Sequence, residues 1–296
     1  MLAQRQTATD MALDQLGIDG PEEKPAAVEK EMTFFDHLEE LRWHIIRSLA
    51  VVIVLGIVLF LMKDFVFKNI VFGPLQPDFI TYRLICDFSN AIGFGDQLCF
   101  FPKKIHLITP DMGELFLTHM KISFLLGLVL GIPYVFWEIW RFISPGLYDK
   151  ERKASRGAVL ICSTLFLTGA LFGYFVISPF AISFLTGYEL ADVESTPALD
   201  SYISYMLMFT LPTGLVFQLP VAAHVLTSIG IISSSSLREY RRHAAVAIVS
   251  VAAIITPPDA FSQILVSLPL FALYEISILV SKRVEKRKAE EPEIED

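Results

Sequence analysis

The stretch Leu49-Ala50-Val51-Val52-Ile53-Val54-Leu55-Gly56-Ile57-Val58-Leu59-Phe60-Leu61-Met62 has no charge, hydroxyl or amide on any side chain. Trp43–Arg47 leads into it, so the segment approaches the roughly 20 apolar residues that a helix needs to cross a bilayer. Comparable runs lie near Met120–Trp140, Gly157–Ile177, Tyr205–Ile229, Ala244–Ile255 and Phe261–Val280. No soluble fold needs so many. The chain therefore reads as an all-α polytopic membrane protein with six transmembrane helices. Composition agrees: 53% of residues are hydrophobic and 19% charged, against about 25% charged in soluble domains.

Working outward from the spans, the 296 residues leave little chain for a separate soluble domain. Residues 1–32 read as a disordered acidic tail, 33–283 as the membrane domain and 284–296 as a second charged tail. A weak amphipathic patch at Met11, Leu13, Leu16 and Ile18 stands against the plainer reading of a floppy tail. The start lacks a basic segment followed by an apolar core, so no cleavable leader is expected. The net charge of -8 gathers largely in the tails. That balance offers no surface for nucleic acid.

Orientation follows from lysine and arginine, which concentrate in cytoplasmic loops. Arg141, Lys150, Arg152, Lys153 and Arg156 lie between the second and third spans, and Arg238, Arg241 and Arg242 between the fourth and fifth. Lys282, Arg283, Lys286, Arg287 and Lys288 follow the sixth. Segment Ser178–Ser204 has none. Both termini are expected inside. The long outer loop, about residues 63–119, carries basic residues but is too long to weigh in this rule.

That loop holds Cys86 and Cys99, which fall on the oxidising side and are predicted to form a disulfide. Two free thiols are the competing reading, and a metal site lacks nearby ligands. Cys162 lies inside the third span as a packed apolar residue. Thr33-Phe34-Phe35-Asp36 has the form of a capping box that starts the first helix. Pro110–Leu117 suggests a short amphipathic helix on the outer surface. Pro133, Pro179, Pro212, Pro220 and Pro269 sit within or at the ends of spans, where proline removes a donor and bends a helix. Bent helices of this kind wall a concave space. The fifth span is short.

Soluble-enzyme signatures are absent: no phosphate loop, no zinc-binding His-Glu-x-x-His and no nucleophile elbow. The six histidines are scattered. The chain is read as no enzyme, with no cofactor and no metal. Gln218, His224 and Glu275 are polar residues within spans, where burial is costly and function is the usual reason for keeping them. Glu138 and Arg141, three apart, suit a pair along one helix face.

Four stretches stand apart: His37-Leu38-Glu39-Glu40-Leu41-Arg42, Phe142-Ile143-Ser144-Pro145-Gly146-Leu147-Tyr148, Glu151-Arg152-Lys153, and Thr256-Pro257-Pro258-Asp259-Ala260-Phe261-Ser262-Gln263. Their order and spacing around the spans resemble the TatC family, the signal receptor of the twin-arginine protein translocase, over about Thr33 to Arg283. The resemblance implies a receptor that binds consecutive-arginine signal peptides on folded cargo. It also implies TatA-like and TatB-like single-span partners, self-association, and transport driven by the proton gradient of a bacterial inner membrane. By motif position, Glu40 and Glu151 match the acids that contact the arginine pair, with Glu39 adjacent to them. Phe142 and Pro145 match the cytoplasmic loop that shapes that site. Thr256, Gln263 and Gln218 match positions met by partner helices, and Gln218 stands where the family often carries an acid. Arg42, Pro257, Pro258 and Asp259 within the motifs, and Pro74 in the outer loop, are read as structural positions.

Read without the resemblance, Glu39 and Glu40 also suit the positive end of a helix dipole, and Glu151 suits a solvated charge cluster. The chemistry of an arginine pair favours carboxylates: each planar guanidinium donates two parallel bonds that a carboxylate accepts in bidentate fashion, a fork that a lysine ammonium lacks. A proton-coupled transporter of a small solute is the alternative class. It lacks the inverted repeat and matched broken spans expected of it.

Overall fold

The computed structural model describes residues 34–93, 95, 99, 105–143, 149–188, 196–256 and 260–290, with the backbone alone at 34–36, 149–156 and 260–262. The expectations for the tail 1–32, the Thr33 capping box, Pro145, Pro257, Pro258 and Asp259 lie outside the described residues. The chain divides into two compact units, Met1–Leu41 and Arg42–Asp296. Helix α1 (Phe34–Leu61) begins in the first and continues in the second.

The second unit is helical throughout its described residues, apart from connecting turns and one isolated bridge between Ile108 and Ala198. After α1 come short helical turns over Lys63–Phe65, Val66–Val71 and Gly73–Leu75, then α2 (Ile80–Ile92). Helices α3 (Glu114–Ile143) and α4 (Asp149–Phe172) follow. A π-helical segment, Gly173–Ile177, leads into α5 (Ser178–Gly187). Next are α6 (Leu199–Val216), α7 (Leu219–Ser228), α8 (Ser234–Glu239), α9 (Arg241–Ile255) and α10 (Ala260–Glu290).

Among the described residues, five stretches are long and apolar enough to cross a membrane: His37–Leu61, Glu114–Ile143, Gly157–Gly187, Leu199–Ser228 and Gln263–Glu290. Each extends past its hydrophobic run because helix geometry continues into the polar flanks once backbone bonds are made. Helix α9, expected as a further crossing, has 15 residues. At 1.5 Å per residue it spans about 22 Å, short of the ~30 Å hydrocarbon core. Charged residues expected to begin a tail at 284 continue α10 to Glu290.

One expectation for the outer loop changes. Residues 110–117 form no helix of their own; Glu114 opens the long α3. The loop's amphipathic helix is instead α2, which ends where Gly93 adopts φ 86°, a left-handed cap suited to glycine. Cys86 on α2 is disulfide-bonded to Cys99.

Two of the span prolines fall where helices change register. Pro179 follows the π segment, and Pro220 follows the break at Phe217–Gln218, so two of the long stretches are assembled from successive helical segments. Pro133, Pro212 and Pro269 lie inside α3, α6 and α10.

Glycines set the closest helix crossings. A Cβ on Gly127 of α3 would stand 2.7 Å from the Gly56 nitrogen of α1. A Cβ on Gly173 would run into the Phe209 carbonyl of α6, and one on Gly169 would stand 2.9 Å from Gly214 Cα. Small residues let helices approach where lipid supplies no hydrophobic drive. One core cluster gathers Leu59, Val66, Val71, Ile122, Tyr202 and Ile203. Another joins Ile177, Phe209, Ala252, Val266 and Leu270. Burial pushes the Tyr82 phenol well above its ordinary range.

At the end of the unit that carries the disulfide, the Ile108 and Leu199 amides bond to the carbonyls of Pro197 and Ile108. The Glu114 carboxylate accepts the Asp200 amide at 3.0 Å, capping α6, and Lys121 Nζ donates to Asp200 at 2.8 Å. These contacts tie the starts of α3 and α6 together.

Candidate functional site

The opening of α1 presents its acids differently. Glu39 is exposed and Glu40 half-buried, both within the first unit. In the second unit, Arg42 is exposed. Glu151 lies in the opening turn of α4, described by its backbone alone.

Phe142, near the end of α3, is half-buried with its ring edge against His44, centroids 5.9 Å apart. His44 is itself buried and bonds through Nδ1 to the Glu138 carboxylate. Tyr134 donates its hydroxyl to the same carboxylate at 2.8 Å, one turn back along α3. Glu138 is 1% exposed, so its charge is held among partners rather than in water. An unpaired carboxylate there would cost several kcal/mol, about the effective burial penalty of one ion. The Glu138–Arg141 pair expected from spacing is displaced: Glu138 turns to α1, and the Arg141 guanidinium lies 6.0 Å from the Trp137 ring. Sequence reasoning missed His44 as a partner. The signal was present in Glu138, a carboxylate inside an apolar run, but the run does not reveal which distant residue meets it.

The positions read as partner-helix contacts each have a bond within the chain. Gln218 donates its amide to the Cys162 carbonyl of α4 at 3.1 Å. Gln263 reaches the Val249 carbonyl of α9 at 3.4 Å and is half-buried. Thr256 is buried at the end of α9, its hydroxyl on the Ala252 carbonyl at 2.9 Å. Each of these bonds ties together or ends the helices it lies on. Pro74 is buried, and its carbonyl accepts the Tyr82 hydroxyl at 2.8 Å. Glu275 pairs with Arg241 at 2.7 Å, across α10 and α9. Among the described residues no group of three or more His, Cys, Asp or Glu side chains is placed to hold a metal.

Long apolar helices, glycine-set crossings and a buried His–Glu pair define a polytopic helical membrane protein whose polar groups are kept for specific contacts. Residues 36–269 match the model of the Sec-independent protein translocase protein family, TatC. The TatC protein of Blattabacterium sp. subsp. Periplaneta americana is 39% identical over 263 residues, covering 87% of this chain and 98% of that protein. The TatC protein of Desulforapulum autotrophicum is 32% identical over 265 residues, 90% of each chain. A crystal structure described as the twin arginine translocase receptor TatC in DDM superposes with a TM-score of 0.64 at 31% identity, covering 83% of this chain and 99% of that one. The chain belongs to the TatC family and is a component of a protein translocase.

Proposed function

We propose that this chain is the signal receptor of a twin-arginine translocase in a bacterial inner membrane. It binds Arg-Arg signal peptides of folded proteins at its cytoplasmic face and assembles, in several copies, with TatA-like and TatB-like single-span proteins. The observation that carries this reading is the joint presence of the His37–Arg42, Phe142–Tyr148, Glu151–Lys153 and Thr256–Gln263 stretches in a chain that matches the family over residues 36–269. Solved relatives described as twin arginine translocase receptors support it.

In this reading the membrane domain crosses six times with both termini inside, and α9 is the short crossing. Glu40 and Glu151 take the two guanidinium groups, with Glu39 beside them and Phe142 and Pro145 shaping the apolar side. Bidentate carboxylate pairing explains why arginine rather than lysine is read. Thr256, Gln263 and Gln218 meet the partner helices. The proton gradient supplies the driving force, and no nucleotide or metal takes part.

The test is binding of a labelled twin-arginine peptide to the purified protein in detergent. Affinity is expected to fall about tenfold or more for a Lys-Lys peptide, and likewise for Glu40→Gln and Glu151→Gln, each loss equal to roughly 1.4 kcal/mol. Equal affinity across all of these in folded protein would sink the receptor reading.

A further inference from the structure

Helix α2 has three faces. At about 100° per residue, Tyr82 and Ser89 turn to one side and are buried, and Thr81, also buried, stands at the edge of that side, beside the Phe88–Ile92 end of the second. Ile80, Leu84, Phe88 and Ile92 follow one another at four-residue spacing up a second side and are 54%, 61%, 62% and 51% exposed. Arg83, Asp87 and Asn90 occupy a third, also exposed. A helix in water needs only two faces, one packed and one polar. The extra apolar stripe lies between them.

The packed face fixes where the stripe sits. Thr81 Oγ1 donates to the Phe175 carbonyl, and Tyr82 reaches the Pro179 carbonyl at 3.4 Å. Phe79, just before the helix, stacks on Phe175 with centroids 5.5 Å apart. Pro179 has no N–H to give back to the turn below it, so Thr81 supplies a donor where the span's own ladder is weakened. These anchors are not at the tip of the third span. Phe175 precedes Gly187, the end of that stretch, by 187 − 175 = 12 residues, about 18 Å along a helix. That stretch has 31 residues, about 46 Å of helix against a ~30 Å hydrocarbon core, so a core that begins at Gly157 ends near Ile177, level with these anchors and with α2. Phe184, farther toward the end, is itself exposed, as is Leu61 at the end of α1. The stripe thus continues an apolar surface that the spans already present to lipid. Cys86, joined to Cys99, lies on the side of α2 away from the stripe, so the disulfide does not cover it.

We infer that α2 lies in the interfacial region of the leaflet at the disulfide end, with Ile80, Leu84, Phe88 and Ile92 among the acyl chains and Arg83, Asp87 and Asn90 toward water. The partner is lipid. The geometry is that of an interfacial amphipathic helix, one side buried in the boundary between headgroups and chains, with its third side clamped to the protein.

The inference is tested on the full chain reconstituted into phosphatidylethanolamine–phosphatidylglycerol vesicles. A benzophenone-bearing phenylalanine analogue is placed at position 88, 84 or 90 in turn and photolysed, and the products are resolved by mass. Lipid adducts are expected at 84 and 88, with several-fold less at 90. Adducts to a second copy of the chain at 84 and 88, or equal lipid labelling at all three positions, would overturn it. An independent reading uses Phe88→Trp and Asn90→Trp with Trp43, Trp137 and Trp140 changed to Phe. Acyl-brominated lipid should quench the first strongly and the second weakly, and equal quenching refutes the placement.

Discussion

The buried pair His44–Glu138 shows how far one side chain's environment departs from its sequence neighbourhood. Removing one member of such a buried pair takes from the other its charge-assisted contact, at a cost of up to about 3–5 kcal/mol. Glu138→Leu is therefore expected to lower the thermal unfolding midpoint of the detergent-purified protein sharply. Combining it with His44→Phe should return most of the loss, because the double change removes both polar groups together. Additive losses in the double variant would show that the two act separately. A conservative Glu138→Gln, which keeps an acceptor for Tyr134, should cost less than Glu138→Leu. The sequence made Glu138 visible as an acid inside an apolar run, and periodicity then offered Arg141 as its neighbour. It could not offer His44, because a contact across 94 positions is set by how two helices cross. Gln218 tells the same story: it was legible as a polar residue needing a partner, but the Cys162 carbonyl was not legible as that partner.

Between helices, glycine decides the distance. Gly127 and Gly173 sit where an added methyl meets backbone atoms that a rotamer change cannot move. Overpacking of this kind costs about 1–3 kcal/mol, so Gly127→Ala and Gly173→Ala should each reduce the unfolding midpoint. Gly187→Ala, where the added Cβ meets nothing within 4 Å, should change it by less than about 0.5 kcal/mol in stability. A Gly187 loss equal to that at Gly173 would show that the close crossing is not the cause, since helix propensity and backbone entropy both favour alanine. The long helices themselves were legible, since runs of apolar side chains announce a lipid solvent without any knowledge of neighbours. Their ends were not: hydropathy fades before the helix does, which is why α10 runs to Glu290 beyond the expected boundary. Helix α2 was missed for a related reason. Its apolar residues are divided between a packed face and an exposed stripe, so the stretch reads as mixed loop sequence, whereas Pro110–Leu117 looked helical because it already belonged in part to α3.

At the scale of the whole molecule, the decisive element is α9, because an even number of crossings depends on it. With 15 residues it falls about 8 Å short of the hydrocarbon core. A crossing that short thins the bilayer around it or leans on neighbours. Its contacts with α10 through Gln263–Val249 and Arg241–Glu275 supply such a neighbour along its length. Two consequences follow from the crossing proposed for α9. Thermal stability in nanodiscs should be greater with 14- to 16-carbon acyl chains than with 22-carbon chains, the mismatch penalty being fractions of a kcal/mol per Å. Topology gives the sharper check. In a Cys162→Ser background, Ser235→Cys and Asp259→Cys flank α9, and an impermeant maleimide applied to sealed inverted vesicles should label the first and spare the second. Labelling of both from the same side would make α9 a re-entrant or surface helix, leave five crossings, and put the two termini on opposite faces of the membrane.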